Sequence, residues 1–80
     1  MGNAVIRISL NHPTSVNGEE WPHYAAHVAD AVKQAWPDAN VTITETHEAT
    51  AYNVQGGDNP VAIWSGLHDV VSSAQDRWGV

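Results

Sequence analysis

Eighty residues make a single domain, and a chain of that size buries only about 60–65% of its unfolded surface, so its core is small. Cysteine is absent, which excludes a disulfide framework, thiolate metal sites and thiol catalysis. Nine acidic against three basic residues give a net charge of −6 with the five histidines neutral, which opposes direct binding to a phosphate backbone and favours a basic protein partner.

Ala4, Ile6, Ile8 and Leu10 alternate with Val5, Arg7 and Ser9, the period-two signature of a strand with one buried face over Asn3 to Leu10. The segment from Asn11-His12-Pro13 to Asn17-Gly18 is dense in turn formers, and Glu19-Glu20 then leads into Trp21-Pro22. Proline suits a first helical turn and carboxylates favour a helix N-terminus. A first helix therefore runs from Pro22 to Trp36. At 100° per residue Trp21, Tyr24, Ala25, Val28, Val32 and Ala35 share the buried face, and His23, His27, Asp30 and Gln34 the exposed one. Pro37 stops the helix, because the residue before proline resists helical geometry.

Val41 to Thr46 alternates again and is rich in β-branched residues, with Val41 and Ile43 toward the core and the threonines outward. A tight connection at His47 to Ala49 leads to a third strand, Thr50 to Gln55, with Tyr52 and Val54 inward, expected to pair with strand two as a hairpin. Gly56-Gly57-Asp58-Asn59-Pro60 combines a flexible turn, an Asn59 N-cap and proline at the first helical position. The second helix, Pro60 to Trp78, buries Ile63, Trp64, Leu67, Val70, Val71, Ala74 and Trp78 and exposes Ser65, His68, Asp69, Ser72 and Asp76.

The fold expected is α+β: a two-layer β-α-β-β-α sandwich with a three-stranded mixed sheet and two helices on one face. Strands one and two run parallel, adjacent or with strand three between them. The element order resembles a ferredoxin-like fold lacking its last strand. That likeness implies an edge position for strand one, hence a homodimer through it.

Parallel strands one and two finish at one pole, where helix one starts and helix two ends. His12, Glu19, Glu20, His23, Glu45, His47 and Glu48 should gather there, a set of imidazoles and carboxylates of the kind that binds transition metals. His23 and His27 also stand at the i, i+4 spacing of helical zinc sites, but Tyr24 occupies the position where HExxH needs its glutamate. Ser65, His68 and Asp69 lack an oxyanion hole or nucleophile elbow, and Gly56-Gly57 lacks the spacing and lysine of a phosphate loop. The outer sheet face has no aromatic platform for stacking bases.

No catalytic residue, cofactor or resident metal is assigned on this basis. The expected function is a non-enzymatic acidic protein-binding module, with Glu19, Glu20, Glu45 and Glu48 meeting a basic or nucleic-acid-binding protein and Trp64 serving as an interface anchor. Direct nucleic-acid and membrane binding are not expected: no stretch approaches the ~20 apolar residues of a span. The N-terminal MGNAVIRISL is unlike a secretory signal, and a cytoplasmic protein is expected. In size and charge the chain is similar to phage-encoded inhibitors, including anti-CRISPR proteins. The alternative is a metal-binding or metal-dependent hydrolytic protein built on the histidine pole.

Overall fold

The computed structural model describes residues 3–57 and 59–79. The elements follow in the expected order: β1 Val5–Asn11, α1 Trp21–Ala35, β2 Asn40–Thr46, β3 Ala51–Gln55 and α2 Pro60–Trp78. The result is an α+β arrangement of a three-stranded mixed sheet and two helices. Asp58, part of the turn read before the second helix, lies outside the described residues.

Strand order is β2-β1-β3. β1 pairs parallel with β2, Ile8 opposite Ile43, and antiparallel with β3, Ile8 opposite Tyr52. The expected hairpin between strands two and three therefore does not form, and strand one is central rather than at an edge. This departs from the ferredoxin-like order and removes the proposed homodimer through strand one, because β1 has its backbone partners on both sides within the chain. The physical reason is apolar content. Ile6, Ile8 and Leu10 are at most 1% exposed, and such a row is buried best between two neighbours.

Residues 47–50 carry the chain from β2 to β3 across the end of β1. Two strand spacings are about 10 Å, and four extended residues reach about 13 Å, so the link is just long enough. Asn11 holds it there. Its backbone N–H donates to Thr50 Oγ1 at 3.0 Å and its Nδ2 donates to the Glu48 carbonyl at 2.8 Å.

The inner face of the sheet meets Tyr24, Val28 and Val32 of α1 and Leu67, Val71 and Ala74 of α2, all buried, with Val16 of the β1–α1 loop closing one end. The outer face is polar, with rows Asn40–Val5–Gln55, Thr42–Arg7–Asn53 and Thr44–Ser9–Ala51. Helix ends follow the local chemistry. Asn59 Oδ1 accepts from the Ala62 N–H at 3.2 Å, and Gly79 closes α2 in the left-handed conformation. At the start of α1 the Asn17 side chain accepts from the Glu20 N–H at 2.8 Å, and Pro22 occupies the first turn.

Some assignments of helix faces differ from expectation. Ala35 is exposed, since it lies in the last residue of α1 beyond the reach of the sheet. His27 is half-buried: its Nε2 donates to the Ala74 carbonyl at 2.9 Å and its ring lies 5.5 Å from that of Trp78. A helix packed on both a sheet and a second helix buries a wider arc than one apolar stripe, and His27 falls in the added part.

Candidate functional site

The chemistry-bearing side chains concentrate where β1 and β2 end. His12 follows β1, and its backbone N–H continues the parallel ladder by donating to the Thr46 carbonyl at 2.9 Å. Its ring is thereby fixed beside Glu45, which lies on the inward side of β2 at the strand's end. Imidazole Nδ1 pairs with Glu45 Oε2, and Nε2 pairs with the Val16 carbonyl. The ring stacks on Trp21, with centroids 4.9 Å apart, and on His47 at 6.1 Å.

Both partners of the His12 ring are acceptors, so the ring satisfies them only when both nitrogens carry protons. The Val16 carbonyl, first, and the Glu45 carboxylate then hold its pKa above the ordinary histidine value, against a smaller opposing effect of desolvation. A cationic imidazolium against the Trp21 indole also gains from the ring's quadrupole. The pair is only partly shielded, with 17% of the His12 side chain and 40% of the Glu45 side chain accessible, so screening by water limits its strength.

The sign of the pH effect follows. Because the folded state raises the His12 pKa, its stabilising contribution is complete below the unfolded value of about 6.5 and is lost as pH rises through the folded value. The difference in melting temperature between wild type and His12→Gln should therefore be largest below about pH 6.5 and shrink as pH rises above it. An NMR titration should place the His12 midpoint above the ordinary histidine value of about 6.5; a midpoint below it would contradict this geometry.

The remaining carboxylates of the pole are exposed. Glu20 accepts from Asn17 Nδ2 at 3.2 Å, and the Glu48 N–H donates to Thr46 Oγ1 at 3.2 Å, so at Glu48 the main chain is anchored while the side chain faces solvent. Among the described residues the single ion pair is His12–Glu45, leaving Glu19, Glu20 and Glu48 without a cationic neighbour. His23 is exposed on α1, and His27 is turned to α2. No group of three histidine or carboxylate side chains among the described residues is arranged to hold a metal ion. His12, which such a site would use first, has both ring nitrogens engaged.

Trp64 is 55% exposed, and Val61, one turn earlier, is 71% exposed. The assignment of Trp64 to the buried face is thus corrected, and its proposed anchoring role has an accessible ring. It does not join the glutamates. β3 ends at the opposite pole from His12, so α2 begins there and Trp64 lies in its second turn, whereas the far end of α2 brings Trp78 to Tyr24. The four glutamates and Trp64 belong to two ends of the molecule. Trp36 is half-buried because Gly66 leaves room for its ring, which lies 3.2 Å from where a Cβ would stand.

The pole near α2's start contains a cavity of about 530 Å³ between Asn3, Trp36, Ala39, Asn59 and Ile63. Asp38 is the one titratable side chain among its described lining residues, so those residues form no acid–base pair. Ser65, His68 and Asp69 are all exposed on α2 and make no hydrogen bond to one another.

Sequence reasoning brought His12, Glu45 and His47 to one pole but missed the Val16 carbonyl and the Trp21 face that complete the His12 site. Pro13 was the available signal, since the turn it opens, with the Val16 N–H donating to the Pro13 carbonyl at 3.1 Å, returns Val16 over His12. No protein-family model, curated protein or solved structure matches the chain.

Proposed function

We propose that this chain is a non-enzymatic acidic protein-binding module acting in the cytoplasm, an inhibitor of the phage type similar to anti-CRISPR proteins, whose carboxylates enter the basic groove of a nucleic-acid-binding protein. The observation that supports this reading is the uncompensated acidity of one pole. Glu19, Glu20 and Glu48 are exposed and stand outside the single described ion pair. They lie on short turns pinned by Asn17 and Asn11, so little ordering opposes binding. Glu45 has a different part: it holds His12, and the His12–Trp21 stack holds the start of α1 against the sheet.

Capture from a lysate of the source organism, followed by mass spectrometry, identifies the target. Association with it should then slow steeply as salt rises, and the triple reversal Glu19→Lys, Glu20→Lys, Glu48→Lys should lower the association rate by about tenfold or more at low salt. Salt-insensitive binding with a neutral triple variant would move the interface to Val61 and Trp64.

A further inference from the structure

We infer that the free edge of β2 is the docking strand for an extended segment of a basic protein partner, which adds to the sheet beside it. This rests on the acidic-module reading and assigns the place where the partner's main chain pairs. The ladder with β1 decides which groups are free. The Asn40 N–H donates to the Ala4 carbonyl, and the Thr46 carbonyl accepts from the His12 N–H, so the even-numbered residues of β2 turn their backbone toward β1. In a parallel pair the alternate residues turn away. Val41, Ile43 and Glu45 thus present three N–H and three C=O groups to the open edge, spaced about 6.6 Å apart, and no described hydrogen bond uses them.

The edge carries few of the features that discourage pairing. It runs for seven residues, Asn40–Thr46, without proline, lysine or arginine. Its core-facing Val41 and Ile43 are still only half-buried, and an added strand would cover them. β3, the other edge, is five residues long and turns outward only the backbone of Tyr52 and Val54, because Val5, Arg7 and Ser9 pair with its odd-numbered residues.

Charge selects the occupant. Asp38 precedes β2, and Glu45 and Glu48 stand at its other end, with Asp38 and Glu48 exposed and outside the described ion pair. A strand with cationic residues at both ends and small or β-branched residues between them matches that pattern. A second copy of this chain would instead bring carboxylates against carboxylates at a net charge of −6 each.

The test uses the intact wild-type chain and a synthetic peptide of about seven alternating valine and threonine residues flanked by lysine pairs. Three peptide controls replace the lysines with glutamates, methylate alternate backbone nitrogens, or scramble the order. With the lysine-flanked peptide at millimolar concentration, hydrogen exchange at the Val41, Ile43 and Glu45 amides should slow by about tenfold. Tyr52 and Val54 should not change. The methylated and glutamate peptides should give no protection, and Asp38→Lys with Glu48→Lys should abolish the effect. Protection confined to the Tyr52 and Val54 amides, or unchanged exchange at all five, would overturn the inference. So would protection of the β2 amides that rises with protein concentration alone, which would make the occupant a second copy. Peptide that binds and shifts only Glu19 and Glu20 would overturn the docking strand while leaving the acidic-module reading standing. Loss of salt-dependent binding to poly-lysine would remove that reading as well.

Discussion

Replacing Ile8 by alanine is expected to remove a large share of the domain's stability. Ile8 is 1% exposed and sits in the middle of the central strand, between Ile43 and Tyr52. Both neighbours are themselves fixed by pairing, so little can collapse into the space. Such a truncation costs about 2–5 kcal/mol, against about 4–12 kcal/mol in total for eighty residues at the usual ~0.05–0.15 kcal/mol each. Urea unfolding followed by tryptophan fluorescence measures it directly. Ser9→Ala, one residue on and facing outward, is the control and should change little; equal losses from both would mean that the two faces of β1 are not distinguished as described.

Gly57→Val should cost nearly as much, for another reason. Gly57 has φ +77°, and a Cβ there would lie 3.0 Å from the Cβ of Ala4. Left-handed geometry penalises a side chain by about 1–2 kcal/mol, and forcing extra atoms against packed neighbours adds about 1–3 kcal/mol. A β-branched residue meets both at once, so about 2–5 kcal/mol is expected. Gly18→Ala is the contrasting variant, because nothing lies within 4 Å of its Cβ position. The melting temperature should fall sharply for the first and barely for the second.

These two sites also mark what local pattern can and cannot reveal. Alternation in β1 and the spacing of Tyr24, Val28 and Val32 state directly which side of each element is apolar, and the structure buries those residues. Strand order is another matter. Nothing in Val41–Thr46 or Ala51–Gln55 names its partner, and a short link such as 47–50 reads as a hairpin until the anchoring role of Asn11 is known. The candidate site divides in the same way. Carboxylates and imidazoles are visible as residue types, and chain polarity sends Glu45, His47 and Glu48 to the His12 pole. The acceptor that matters most to His12 is a main-chain carbonyl, Val16, which every residue has and no sequence pattern singles out. Trp64 was separated from the glutamates by the direction of α2 alone.

The outer rows of the sheet have an electrical consequence. Arg7 lies between Thr42 and Asn53, and no carboxylate belongs to any of the paired rows on that face. The described acids stand instead on the helices, the turns and the strand ends, where Lys33 and Arg77 also lie, so Arg7 is the one charged side chain in those paired rows. A cationic surface should therefore be met by the turns and helices rather than by the threonine-rich rows of the sheet. Adsorbed on an anion exchanger, the protein would keep Arg7 open to a reagent while shielding the carboxylates of its turns.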